Sequence, residues 1–145
     1  MTSVKAHMKN RSATKPKTTA ESLEELFQAL ADRTRLRLLN LMADGEVCVC
    51  FFVEVLDEAQ PKISRHLAYL RSAGLVSARR DAKWVHYTIA PLDDTTARAA
   101  FDAIMATLKA DREMQKDRAA LARACCSPRV PEQLRRAPRP AIAGA

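Results

Sequence analysis

Fifteen consecutive residues, QPKISRHLAYLRSAG at positions 60–74, limit the folding options of this chain more than any other stretch. Pro61 stands where a helix begins, a position that tolerates proline because that N–H has no intrahelical partner. Gly74 stands where a left-handed C-terminal cap is wanted. Ile63, Leu67 and Leu70 recur at spacings of four and three and make one apolar stripe. Lys62, Ser64, Arg65, His66 and Arg71 occupy the other face, with Gln60 at its start, and can donate to phosphates and base edges. The preceding residues 46–56 form a short apolar-periodic run, followed by the polar turn DEAQ. Two short helices joined by a tight turn, the second one basic, match a helix-turn-helix. An ordinary helix pair with a solvated basic face would give the same pattern.

Charge favours the first reading. The net +7 is unevenly spread: residues 1–20 contribute +5 and residues 127–145 contribute +3. Residues 21–59 hold three basic and nine acidic groups, whereas residues 60–89 hold six basic and one acidic. One segment therefore carries the positive face expected of a double-stranded DNA contact.

After Gly74 the hydrophobic period changes from helical to two. Residues 75–80 and 83–89, separated by Asp81 and Ala82, predict a β-hairpin with Arg79, Arg80 and Lys83 clustered at its tip. A basic hairpin directly after a recognition helix is a wing. Upstream, residues 21–30 and 34–42 predict two helices, and residues 46–56 a third that contains Cys48 and Cys50. Downstream, residues 95–125 predict one long helix, apolar-periodic at first and charged all round from 109 to 118. So long a helix outgrows its domain, which predicts pairing with a second copy in a two-fold dimer. The expected fold is mainly α with a small β-hairpin. It comprises a disordered basic tail (1–18), a winged helix-turn-helix and dimerisation domain (19–126), and a disordered Pro/Arg tail (127–145).

Length and composition close off other classes. A chain of 145 residues makes one domain with tails. No apolar run approaches the roughly 20 residues that span a bilayer, and residues 1–20 carry no apolar block. The expected location is cytoplasmic, with no membrane partner. Cysteines there are poor candidates for structural disulfides. A thiol-redox enzyme, the rival class, needs an oxyanion loop, yet the three glycines (Gly45, Gly74, Gly144) are scattered. A constitutive DNA-binding protein with two buried, inert cysteines is a third class.

Five segments in order, FQALADRTRLRLL (27–39), EVCVC (46–50), QPKISRHL (60–67), LRSAGLV (70–76) and WVHY (84–87), closely resemble the arsenical-resistance repressor (ArsR/SmtB) family. The likeness spans about residues 20–108. It implies a homodimeric winged helix-turn-helix repressor that leaves its operator when an inducer binds. Cys48 and Cys50 resemble the inducer site of the arsenic and antimony sensors, which implies As(III) or Sb(III) as inducer and no organic cofactor. The family's arsenic pattern places a third cysteine three residues after Cys50, where this chain has Val53. Cys125 and Cys126 are the substitutes the resemblance suggests.

Trivalent arsenic is soft and takes thiolates in a pyramid. Residues two apart on an ideal helix point to nearly opposite sides. Cys48 and Cys50, both expected in the third helix, can therefore share one ion only if the start of that helix unwinds, which would couple inducer binding to the helix that braces the reading helix. The family's zinc sensors use histidine and carboxylates on the last helix. This chain has only His7, His66 and His86, none of them there. Its cadmium and lead sensors add N-terminal cysteines, and residues 1–47 contain none. Trivalent organoarsenicals, which need as few as two thiols, stay open. His66 is expected on DNA and His86 in a structural role.

Overall fold

The structure is a computed structural model and describes residues 15–126, 130 and 132–141, without the side chain of Cys126. The basic residues 1–14 and the segment 127–129 lie outside the described residues.

Helix α1 (Thr19–Leu30) opens on a capping box: Thr18 Oγ1 accepts from the Glu21 N–H, and the Glu21 carboxylate accepts from the Thr18 N–H. Helix α2 (Arg33–Leu41) is capped by Asp32, which accepts from the Arg35 N–H. Gly45, at φ +141, turns the chain into a short strand, β1 (Val47–Cys48). Helix α3 (Val49–Leu56) follows and ends on left-handed Asp57. Helix α4 (Gln60–Ser72) is the segment the sequence marked, with proline in its first turn and Gly74 at φ +76 beyond its end. Strands β2 (Val76–Asp81) and β3 (Trp84–Ile89) form the expected hairpin.

The sheet has a third member. Strand β1 pairs antiparallel with β3, giving the order β1-β3-β2. The register sets Cys48 opposite His86, and His86 in turn opposite Arg79. The predicted third helix therefore starts three residues later than its sequence suggested. EVCVC alternates apolar with other residues and contains two β-branched valines, which suit an extended strand entering a helix.

Ile63, Leu67 and Leu70 of α4 are fully buried beside Leu38, Leu39, Phe51, Phe52 and Leu75. Each such side chain contributes about 1.5–3 kcal/mol by leaving water. The stripe therefore fixes which face of α4 turns outward.

The long last helix is two helices. Helix α5 (Thr95–Ala110) stops at Asp111, whose backbone is extended at φ −73, ψ 139. Asp111 then caps α6 (Arg112–Cys126), accepting from the N–H groups of Glu113 and Met114. The later part of the segment expected as one long helix folds back on α2 and α3 of its own chain. Asp117 is buried and takes a two-pronged guanidinium from Arg37, at 2.7 and 2.8 Å. Asn40 Nδ2 donates to the Met114 carbonyl while its Oδ1 accepts from Arg118. Arg33 pairs with Glu113. Met114, Leu121, Ala124 and Cys125 are buried on the same helix. The described part of the C-terminal segment is likewise docked. Glu132–Leu134 makes a 3-10 turn, Leu134 and Ala137 are buried, and Gln133 donates to Glu54 of α3. The expectation of a tail without structure is corrected there, because Leu134 and Ala137 join the buried apolar cluster.

Candidate dithiol centre and nucleic-acid interface

Cys48 occupies the N-cap of α3 with an extended backbone (φ −71, ψ 141), and Cys50 lies in the first turn. Because Cys48 stands outside the helix, the two side chains need not diverge. Cys50 donates its S–H to Cys48 across 3.2 Å. The requirement that a helical turn unwind before both thiols meet is thus removed: the strand-to-helix junction already supplies the unwound geometry.

That contact separates the two acidities. The Cys50 S–H bond draws the Cys48 thiol down to about 6; burial opposes this and nearby His86 assists. The same bond, with burial, pushes Cys50 up. The pair at neutral pH is one thiolate and one thiol, set at a helix N-terminus that favours negative charge. Both cysteines are free.

Around them, Cys48 and His86 are buried. His86 Nδ1 lies 3.5 Å from Glu46 Oε1. His86 Nε2 is buried without a hydrogen-bond partner among the described residues. Glu46 accepts two bonds from Arg79, Nη2 to Oε1 at 2.6 Å and Nε to Oε2 at 3.1 Å, which lowers the Glu46 pKa.

The donor set suits a soft, thiophilic ion held by two sulfurs. Among the described residues no group of three or more His, Cys, Asp or Glu side chains is arranged to hold a metal ion. Cys125 is buried at the end of α6, with its sulfur 3.7 Å from the Ala122 carbonyl. The structure thus brings Cys48 and Cys50 together without adding Cys125. The Cys126 side chain lies outside the described residues.

The predicted DNA-facing residues divide. Gln60, Ser64 and Arg65 are exposed along α4. Lys62 is half-buried and pairs with Glu58 at 2.7 Å. His66 is also half-buried, its Nδ1 3.6 Å from Asp32 Oδ1 at the start of α2. On the wing, Arg80 and Lys83 are exposed near the turn, with the Lys83 ammonium 4.9 Å from the Trp84 ring centre. Arg79 stands further down β2, opposite His86, so it belongs to the sheet beside the thiols rather than to the tip. Arg35 is not a free cation either: it donates to the Ala29 and Gln28 carbonyls and stacks over Tyr69.

Glu46 and His86 are the site's neighbours that the sequence reading did not pair with the thiols. The period-two alternation of residues 46–48 was the available signal; reading that segment as helix concealed it.

The model of the bacterial regulatory protein, arsR family, matches residues 32–78, the segment from the α2 cap into the wing. The chain belongs to the arsR family. It is 53% identical over 68 residues to the arsenical resistance operon repressor of Escherichia coli, covering 46% of this chain and 58% of that one. It is 45% identical over 76 residues to a probable mercury resistance operon repressor of Streptomyces lividans, covering 52% and 58%. The chain thus spans somewhat over half the length of these relatives. Among solved structures it resembles HlyU of Vibrio cholerae (TM-score 0.55, 29% identity, 63% of this chain and 97% of that chain). It also resembles the homodimeric winged helix-turn-helix domain of Mb0332 from Mycobacterium bovis (TM-score 0.52, 27% identity, 67% and 90%). The family is one of bacterial regulatory proteins, and the Escherichia coli and Streptomyces lividans relatives are operon repressors, not enzymes. Among the described residues no helix is long and apolar enough to cross a membrane.

Proposed function

We propose that this arsR-family protein is a metalloid-responsive repressor. As a cytoplasmic homodimer it binds operator DNA through α4 and the wing, and it leaves when As(III) or Sb(III) is taken by Cys48 and Cys50. The observation that carries this reading is the 3.2 Å contact between the two sulfurs at the start of the helix that braces α4. The name of the Escherichia coli relative supports the metalloid.

In this reading the Cys48 thiolate displaces one hydroxide of arsenite, which takes its proton from solvent, and Cys50 displaces a second, which leaves as water with the Cys50 proton. Ligation then ties the end of β1 to the first turn of α3. Because α3 packs on α4, a shift at that junction changes how α4 is presented to the major groove. Binding of metalloid and of operator are thereby opposed, and the coupling is reciprocal. Gln60, Ser64 and Arg65 read bases, while Arg80 and Lys83 hold phosphate. Cys125 or Cys126 supplies the third sulfur where arsenic takes three.

Two copies would pair through α1 and α5. Phe27 of α1 is 54% exposed. Leu23, Ile104, Met105 and Leu108 are half-buried on the same two helices. The homodimeric relative supports that assembly.

A second reading follows from the two-sulfur geometry: a trivalent organoarsenical, which offers arsenic only two positions for thiols, fits without a third donor. A gel-shift titration with arsenite, antimonite, phenylarsine, cadmium and zinc separates these inducers. Release by arsenite or antimonite at lower concentration than by cadmium or zinc is expected. Release by zinc alone would contradict the reading.

A further inference from the structure

The dithiol is tied to the wing by a row of side chains across the sheet. Cys48 on β1 faces His86 on β3, and His86 faces Arg79 on β2. Residues directly opposed in an antiparallel pair project on one face, with Cβ atoms about 4.5–5.5 Å apart. Glu46 precedes Cys48 by two residues and closes the row from the β1 side. Its carboxylate binds the Arg79 guanidinium with both oxygens and approaches His86 Nδ1.

A fork-to-fork guanidinium–carboxylate pair has a fixed geometry and transmits displacement better than a single contact. Its partners are 56% and 35% exposed, so it adds little to stability. It does join two elements that otherwise meet only through β3. Strand β1 is paired at two positions only, Val47 and Cys48, so little of the ladder resists its movement.

We propose that Glu46 is a positioning residue that carries ligation at Cys48 to the DNA-contacting wing through its bidentate pair with Arg79. The inference rests on the reading of Cys48 and Cys50 as the inducer site. With the thiols unligated, Glu46 holds β2 so that Arg80 and Lys83 lie beside α4. Closing both sulfurs on one ion pulls the end of β1, and Arg79 follows Glu46. The wing turns from its place on the phosphates while α3 shifts α4. Operator release thus has two routes, and the wing route passes through one carboxylate.

Trp84 makes the wing visible. It is the chain's single tryptophan, on β3 beside the turn, with the Lys83 ammonium over its ring. Full-length reduced protein carrying Cys125→Ser and Cys126→Ser, the background for every variant, is titrated with phenylarsine, and three quantities are read: thiols consumed per protomer, Trp84 emission, and the ratio of operator affinity before and after ligation. Glu46→Gln and Arg79→Gln are compared with wild type, with Cys48→Ser/Cys50→Ser as the unligated control. Both glutamine variants are expected to consume the same two thiols as wild type. Their Trp84 response is expected to vanish, and their affinity ratio to fall about fivefold or more. A role confined to stability would lower the melting temperature and leave that ratio untouched. Two thiols consumed with a wild-type Trp84 response and ratio in both variants would overturn the wing link alone. A wild-type protein that keeps both thiols free, or keeps its operator after losing them, would overturn the dithiol reading and the link with it.

Discussion

Cys50 donates its S–H to the sulfur of Cys48 across 3.2 Å, although one residue separates them in sequence. This contact exists because Cys48 is the last residue of a strand and Cys50 lies in the first turn of a helix. Had both been helical, their side chains would have diverged. The junction spares a dithiol ligand the cost of unwinding a turn, and it couples that ligand to two elements at once.

The same contact sets a pH dependence. The Cys48 pKa is depressed to about 6, so its thiolate persists above that value and is lost as pH falls through it. Ultraviolet thiolate absorbance should therefore show one cysteine titrating at about pH 6. Cys50→Ala removes the S–H donor and should move that midpoint upward by more than one pH unit. A midpoint that stays near 6 in Cys50→Ala would show that another group holds the thiolate.

The docking of α6 makes a stability prediction. Asp117 is 7% exposed and Arg37 22% exposed, and they share two hydrogen bonds. Asp117→Ala removes both hydrogen bonds, leaves Arg37 only the longer 3.8 Å pairing with Glu113, and should cost about 2 kcal/mol in urea unfolding. Arg37→Met with Asp117→Leu removes both charges and should cost clearly less. A cost under about 0.5 kcal/mol for Asp117→Ala, the scale of an exposed pair, would show that α6 is not docked in this way.

These elements also show where sequence was enough. Pro61, the Ile63/Leu67/Leu70 stripe and Gly74 are local signals, and α4 follows from them without knowledge of the rest. The hairpin is as local. Asp117 is different: it reads as one more charge on a solvated face until Arg37, eighty residues earlier, is brought against it. The break at Asp111 is hidden likewise, since aspartate inside a charged helix and aspartate capping a new one look alike without the tertiary partner. EVCVC is short enough that periodicity alone cannot separate strand from helix. The chemistry-bearing residue types were legible; the contact between two of them, and the carboxylate and imidazole beside it, were not.

On the wing, Arg80→Ala with Lys83→Ala should weaken binding on all DNA sequences and flatten the salt dependence by about two units at most. Arg79→Ala alone should flatten it less, since Glu46 already neutralises that charge. Ser64→Ala or Arg65→Ala should instead change preference among operator variants. Equal losses on every variant would argue against base reading by α4.

The dimer is tested on α5. Ile104→Asp with Leu108→Asp should give monomers in sedimentation velocity that hold a half-site weakly. A protein still dimeric would show that another face pairs the copies.

The central claim is that Cys48 and Cys50 receive the inducer, and the most direct measurement is operator release by arsenite in the Cys48→Ser/Cys50→Ser protein. The variant should bind operator as wild type does and remain bound at arsenite concentrations that empty the wild-type complex. Cys125→Ser with Cys126→Ser should release at somewhat higher arsenite and respond normally to phenylarsine. Release of the Cys48→Ser/Cys50→Ser protein at the wild-type arsenite concentration would contradict the assignment and move the site elsewhere in the chain.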